Sequence, residues 1–359
     1  MGLLPLVARG LGLDAPVAGH LVSAYALGVV AGAPLIAVLG ARVPRRSLLV
    51  ALTTLAALGN AISAVANDYR VLLAARFAAG VPHGAYFGIA TVVAASVVSP
   101  GRRTHAVARV MLGLSAASVV GAPLAAALGS FTSWRWSFAA LTVLAALSSV
   151  AVAWLTPGQA PPAGASPLRE LGALRRGRVW ATLATGAVGF GGLFAVYTYL
   201  GSTLHHVTGT SARALPLVLA ACGLGMVVGN LVIPRFANHR RAATGLLAWM
   251  AIALALYPWV ARSTWAVSVD VFALGMGGAL GTVLQTRLME VSGDAQGLAA
   301  SLNHVAFNVA NALGPWLGGL AIGAGYGWTS TGWVGCALAV AGLVIWSASV
   351  ELDAGGFEL

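Results

Sequence analysis

Apolar runs long enough to cross a bilayer recur along this chain, separated by short polar or Gly/Pro-containing turns. A spanning helix needs roughly 17–25 mainly apolar residues. Eleven runs qualify: Val17–Leu39, Ser47–Ala66, Val71–Val98, Ala106–Gly129, Ser137–Leu155, Trp180–Thr203, Ala214–Pro234, Thr244–Ala261, Trp265–Thr286, Gly297–Gly323 and Thr329–Val350. Each is expected to be a helix, because an open strand in lipid would leave its backbone polar groups unpaired. Ahead of them, Met1 to Val7 is apolar but is followed at once by Arg9, Gly10 and Asp14. It reads as the last two turns of a membrane helix whose first turns are absent.

Composition agrees with lipid as the main solvent. The 359 residues are 59% hydrophobic and 8% charged, and mean hydropathy is +0.87. A soluble chain of this length needs far more charge to cover its surface. No basic segment precedes an apolar stretch with a small-residue cleavage site, so no cleavable signal is recognised. All 20 basic residues are arginine. The net charge of +11 raises the question of nucleic acid, but the arginines segregate by loop. Arg42, Arg45, Arg46, Arg102, Arg103, Arg109, Arg169, Arg175, Arg176, Arg178, Arg235, Arg240, Arg241 and Arg287 fall on one side. Only Arg9, Arg70, Arg135, Arg213 and Arg262 fall on the other, with Arg76 alone inside a span. The arginine-rich side is expected to be cytoplasmic, and this charge orients the chain rather than binding nucleic acid. Cys222 and Cys336 lie in apolar runs and read as reduced packing residues.

The longest connection, Thr156 to Arg178, is rich in Pro and Gly and then basic. It divides the spans into two groups. Leu168–Arg176 is read either as a short helix on the membrane surface or as a flexible linker. Three features repeat across that divide. LGVVAG at Leu27 matches LGMVVG at Leu224, offset 197, each leading to an Arg-Arg pair at offset 195. RFAAG at Arg76 matches VFALG at Val271, offset 195, and GAPLAAALG at Gly121 matches LGPWLGGLA at Leu313, offset 192. Six helices separate each pair, so the copies share one orientation in the membrane. Two parallel six-helix halves are an architecture of secondary transporters.

The residues MGLLP, YALGVVAGAPL (Tyr25–Leu35), RVPRR (Arg42–Arg46), RFAAGVPHGAYFG (Arg76–Gly88), GAPLAAALG with Gly113, LQTRLM (Leu284–Met289) and LNHVAFNVANALGPWLGG (Leu302–Gly319) carry a resemblance. Over essentially its whole length the chain resembles the major facilitator superfamily, in its drug/proton antiporter branch with the arabinose-efflux-type permeases. The resemblance implies an all-α integral membrane fold with eleven full spans plus a stub of the first. It implies an N-terminal half at 1–156, a cytoplasmic linker at 157–178, a C-terminal half at 179–350 and a cytoplasmic tail at 351–359. Two departures stand out. In the loop after the second helix the family's Asp position is Ala41 and its Gly position is Pro44, leaving Arg42, Arg45 and Arg46. Relatives also carry an acid in the first helix just upstream of the MGLLP-like stretch, where this chain has not yet begun; the favoured reading is a start codon called too far downstream.

Arg76 is costly within a span unless it meets water, a carbonyl or an acid. It is read as a cavity-facing gate for protonation, against a snorkelling anchor. His83 lies two turns further along the same face, with Phe87 continuing it; it is either a titrating group or a neutral interhelical link. Ser301, His304, Asn308 and Asn311 recur at spacings of 3, 4 and 3, forming a polar stripe that either walls a cavity or holds helices together. Asp270, aligned with Ala75 by the repeat, is a possible proton carrier, although an exposed helix end is the favoured reading there. Tyr86, Phe87, Phe190, Tyr197 and Gln285 are candidate cavity residues, with Tyr199 beside them. Gly113, Gly121, Pro123, Gly129, Gly314 and Pro315 are hinge or packing candidates.

The chain has no G-x-x-x-x-G-K-[ST], H-E-x-x-H or G-x-S-x-G pattern, so neither an enzyme nor ATP hydrolysis is expected, and no cofactor or metal. The expectation is a prokaryotic inner-membrane secondary transporter exporting a small molecule in exchange for protons. A proton-coupled importer or facilitative carrier is the alternative, with an intramembrane enzyme or sensor remote. The lipid bilayer, protons and a small-molecule substrate are the expected partners, with no obligate protein partner.

Overall fold

The computed structural model describes residues 3–13, 15–158, 166–210, 215–235 and 238–354. Met1 and Gly2, Arg213, the centre of the linker and the end of the tail lie outside the described residues. The fold is all-helical. Its helices are α1 Leu4–Leu11, α2 Ala15–Leu39, α3 Arg45–Val65, α4 Tyr69–Ser96, α5 Arg103–Ala116, α6 Ala122–Phe131 and α7 Trp134–Leu155. After the linker helix α8 Pro167–Leu171 come α9 Gly177–Gly189, α10 Gly191–His206, α11 Leu215–Val232, α12 His239–Val260 and α13 Thr264–Met276. The last three are α14 Leu280–Val291, α15 Gln296–Ala321 and α16 Ser330–Ala354. Among the described residues, ten helical stretches are long and apolar enough to span a bilayer, and Pro216–Val232 is a shorter apolar helix.

Several helices are compound. A π turn at Ala117–Gly121 joins α5 to α6 immediately ahead of Pro123, whose missing N–H prevents the α ladder from continuing unbroken. α9 breaks at Phe190 before α10, and a 3₁₀ turn at Gly277–Ala279 joins α13 to α14. Part of the linker is helical: Pro167–Leu171 is a short α-helix that Ser166 caps by accepting from the Arg169 amide, and a 3₁₀ turn follows at Gly172–Arg175.

The chain forms two compact units. Unit 1 comprises 1–93, 120–173 and 293–305; unit 2 comprises 94–119, 174–292 and 306–359. In unit 1, Val7, Leu21, Leu72, Trp134 and Phe138 form one apolar cluster, and Leu49, Leu52, Ala85, Ile89 and Val93 form another. The larger core of unit 2 includes Leu200, Leu247, Met250, Leu254, Tyr257, Leu280 and Trp346.

Each unit contains the same close helix crossing. In unit 1 α2 meets α4 so tightly that a Cβ on Gly28, Gly80 or Gly32 would collide with backbone of Phe77, Tyr25 or Val81. In unit 2 α11 meets α13, and a Cβ on Gly225, Gly275 or Gly229 would collide with backbone of Phe272, Cys222 or Met276. These are the positions related by the sequence repeat. Small residues are the means by which helices approach in lipid, where tails are as apolar as leucine. Gly129 is likewise closely met, by the Leu3 side chain, and Gly314 by the backbone of Gly191.

One packing expectation is corrected. A Cβ on Gly113 would meet nothing within 4 Å, so that glycine does not mediate a close approach. In unit 2, α9 and α10 pack along α16. In unit 1, α7 presents a mostly uncovered apolar face: 6% of its apolar window is buried, against 33% for α16.

Gly80→Leu and Gly275→Leu each force backbone apart, and each should destabilise by about 3 kcal/mol or more, the upper range for overpacking. Gly113→Ala has room and should be tolerated. Thermal unfolding and monodispersity of the three variants in detergent check this; equal melting of all three would contradict the crossing argument.

Candidate functional site

The polar positions of unit 1 converge on one buried chain of contacts. Arg76 sits on α4, where its stem reaches α3 rather than snorkelling to the outer surface. Its Nε donates to Ser63 Oγ at 3.3 Å and one terminal nitrogen donates to Asn60 Oδ1 at 3.0 Å. The guanidinium also lies over the Phe138 ring at 4.7 Å and the Tyr25 ring at 5.4 Å. Such contacts are how an arginine is tolerated within a span. The sequence reading did not include Asn60 and Ser63, although their i, i+3 spacing on one face of α3 was a signal for a partner pair.

From Tyr25 the chain continues across to α4. The Tyr25 hydroxyl and His83 Nδ1 are 2.9 Å apart in a hydrogen bond whose direction depends on the imidazole tautomer. His83 and His304 meet edge-on with centroids 5.9 Å apart. Phe87 packs against both, at 5.1 Å from His83 and 5.0 Å from His304, and Tyr86 lies 5.6 Å from Phe87. Thus Arg76, His83, Tyr86 and Phe87 of α4 are brought together with Tyr25 of α2 and His304 of α15. The approach of α15 to α4 depends on Gly88, whose Cβ would collide with Ser301. A cavity of about 190 Å³ lies beside this cluster, lined by Tyr25, Thr53, Asn60, His83, Tyr86 and Ser148 among others. Ser301 and His304 belong to unit 1, whereas Asn308 and Asn311 on the same stripe belong to unit 2.

In unit 2 Asp270 is corrected from an exposed helix end to a buried group, 8% exposed. Its Oδ2 has no hydrogen-bond partner, and it faces the buried hydroxyl of Tyr257. Arg287 also departs from expectation: it lies inside α14, is 6% exposed, and is 3.9 Å from Glu290. The cause is a helix extending about a turn beyond the apolar run. Gln285 is fully buried beside Thr282 and Thr286. A polar link missed in the sequence joins them to α11: Thr282 donates to Asn230 Oδ1 at 2.5 Å, and Asn230 donates to the Met226 carbonyl. Phe190 is core, packed on Phe194 and Phe307. Tyr197 is half-exposed, and Tyr199 donates to the Pro315 carbonyl at 2.9 Å.

The Arg42–Arg46 loop has a definite set of partners. Arg46 donates to the Ala153 carbonyl at the end of α7, and Arg42 is exposed. Arg45 faces Glu170 of the linker helix. The Glu170 carboxylate accepts from the Leu298 amide at 2.7 Å and from the Gly297 amide, so it caps the N-terminus of α15. Those first amides have no partner within the helix, and an anion there also meets the positive end of the helix dipole. Ala41 lines the same small crevice as Arg45, Glu170 and Gly297. Glu170 thus shares a crevice with Ala41, the position at which the sequence departs from the family's loop motif. Next to it Arg169 pairs with Asp294 at 2.5 Å. Among the described residues, no group of three or more His, Cys, Asp or Glu side chains is placed to hold a metal ion.

Comparison with known proteins gives a consistent picture. Residues 1–286 match the profile of the Major Facilitator Superfamily. The inner membrane transport protein YdhP of Escherichia coli K12 is 37% identical over 332 residues, covering 92% of this chain and 85% of that protein. A chloramphenicol resistance protein of Streptomyces lividans is 32% identical over 334 residues, covering 90% and 84%. The crystal structure of the E. coli fucose:proton symporter FucP superposes with a TM-score of 0.77 at 14% identity, over 97% of this chain and 93% of that one.

Burial raises the Glu170 carboxyl above the usual carboxylate range, opposed by the Leu298 amide, the Arg45 charge and the Gly297 amide. Burial costs the charged form more than the two amides and Arg45 return, so docking of the linker carboxyl as a whole is favoured as pH falls through the window above the ordinary carboxylate value. It is disfavoured as pH rises through that window, even though each amide bond by itself favours the anion. Amide-exchange protection at Gly297 and Leu298 should follow that direction in the native chain and lose the dependence in Glu170→Gln. Glu170→Ala should cost about 1 kcal/mol, typical of a lost helix cap. Ala41→Asp added to Glu170→Ala should restore protection at the same two amides; failure to do so would contradict the shared crevice.

Proposed function

From the premise that this chain belongs to the Major Facilitator Superfamily, and is thus a transmembrane transporter rather than an enzyme, we propose that it exports a small molecule from a bacterial cell in exchange for protons. The observation that carries this reading is the continuous buried path Asn60–Arg76–Tyr25–His83–His304 beside a cavity. Ionisable groups are expensive in a membrane interior and mark ion or substrate pathways. The two imidazoles supply a group that can take up and release a proton. A charge on either ring repels a charge on the other across 5.9 Å, so the pair holds one proton at a time. Arg76 is the fixed positive charge that biases when that proton leaves. Asp270 is a second carrier on the C-terminal side, because a buried carboxylate with an unpaired oxygen is unfavourable unless it binds a proton or a cation.

In this proposal the halves 1–156 and 179–350, joined by the linker 157–178, rock about a midplane site, and the Glu170 cap on α15 is one contact that must open. Tyr86 and Phe87 give the site an aromatic wall suited to an amphipathic cargo. The chain is a multi-pass protein of the inner membrane, as the name of the YdhP relative indicates for that protein. Its placement in the drug/proton antiporter branch draws on the chloramphenicol resistance relative.

The test is uptake into everted membrane vesicles of the full chain, with chloramphenicol and a panel of neutral sugars as probes. An acid interior should drive accumulation, and collapsing the gradient should abolish it. His83→Ala, His304→Ala and Arg76→Gln should each lower gradient-driven uptake at least about tenfold, within the range for a lost proton-transfer group, while expression is unchanged. Accumulation driven only by an alkaline interior would mean import with protons. Equilibration indifferent to either gradient would mean a facilitative carrier.

A further inference from the structure

A second site lies in unit 2, apart from the histidine cluster and from the cytoplasmic cap. A groove of about 390 Å³ runs between the end of α11, the first turns of α12 and the end of α13. This is within the range of small-ligand sites, roughly 300–1,000 Å³. Its walls are Val232, Ile233, Leu246, Trp249 and Met276, and among the described residues its one charged residue is Arg241. The floor is open because position 245 is glycine: a Cβ there would meet nothing within 4 Å. The Trp249 ring is held as a wall by its Nε1–H, which donates to the Ala273 carbonyl at 2.9 Å. Trp249 and Ile252 are both exposed large apolar residues on this helix, which identifies the groove as open to the bilayer.

The charge is placed at one end. Arg241 lies in the first turn of α12, and with Arg235 and Arg240 it falls on the side that the excess of arginine assigns to the cytoplasm. Its guanidinium is exposed and, among the described residues, no carboxylate pairs with it. The site therefore combines a cation at headgroup depth with an apolar slot running from it into the hydrocarbon layer. A free anion would use only the first part and a neutral hydrocarbon only the second. We propose that this groove binds an anionic phospholipid of the cytoplasmic leaflet, the phosphodiester on Arg241 and one acyl chain over Gly245 against Trp249 and Met276. Basic pockets between membrane helices on the cytoplasmic side recognise anionic headgroups in this way.

The test is native mass spectrometry of the full chain in detergent, titrated with phosphatidylglycerol, with phosphatidylcholine of identical chains, and with glycerol 3-phosphate. Wild type should bind phosphatidylglycerol about fivefold more tightly than phosphatidylcholine, the contribution of one basic residue at a membrane surface. Arg241→Gln, an exposed change, should remove that preference and keep binding of both lipids. Gly245→Leu fills the slot and should lower binding of both lipids several-fold. Size-exclusion elution and lipid-free melting report whether each variant is folded, and the arginine variant alone suffices should the glycine variant not fold. The proposal is overturned by equal binding of the two lipids to wild type, by a preference that survives Arg241→Gln, or by glycerol 3-phosphate binding as tightly as phosphatidylglycerol.

Discussion

The fold rests on backbone meeting backbone at glycines. Inside a bilayer there is no hydrophobic gain in pressing one apolar helix against another, so association must come from close van der Waals approach and from interhelical hydrogen bonds. The α2–α4 crossing at Gly28, Gly32 and Gly80, and the α11–α13 crossing at Gly225, Gly229 and Gly275, supply that approach once in each unit. Leucine or valine at these positions would separate the helices by the width of a side chain. In unit 1 the crossing also sets the polar contacts. The tight crossing brings Tyr25 of α2 within hydrogen-bond reach of His83 on α4, and Gly88 lets Ser301 and His304 of α15 come equally near.

Once the helices are that close, the polar side chains between them have little choice of partner. Arg76 is satisfied by Asn60, Ser63 and two aromatic rings. No carboxylate is needed to keep it in the membrane, and its charge stays available to act on the groups beyond Tyr25. At the linker the solution is different. There water is at hand, charge is abundant, and the linker contributes a carboxylate that caps α15 and faces Arg45. A residue outside the spanning helices thereby holds the start of α15.

Much of the architecture was legible in the sequence because bilayer physics leaves a long unbroken signature. The spans follow from run length, and the repeat from LGVVAG and LGMVVG. The glycines of that repeat proved to be the crossing points. Arg76, His83 and Phe87 could be placed on one face by helical spacing. What could not be read was partnership across helices. Nothing local marks Glu170 as the cap of a helix that begins well over a hundred residues later, or pairs Thr282 with Asn230. Depth was also misjudged where helices outran their apolar cores. Arg287 lies within α14, and Asp270 is covered by neighbouring helices although it stands near a helix start. Gly113 shows the opposite error, a glycine in a family pattern with no close neighbour.

The central claim is that the cavity beside His83 faces each side of the membrane in turn. It is tested most directly by placing a single cysteine at Tyr86, which lines that cavity, in a background with Cys222 and Cys336 replaced by serine. Labelling with a membrane-impermeant maleimide is then timed from the cytoplasmic and the external side under opposed pH gradients. The account predicts reaction from both sides, with the ratio of the two rates shifting when the gradient is reversed. Reaction from one side only, unchanged by either gradient, would contradict it.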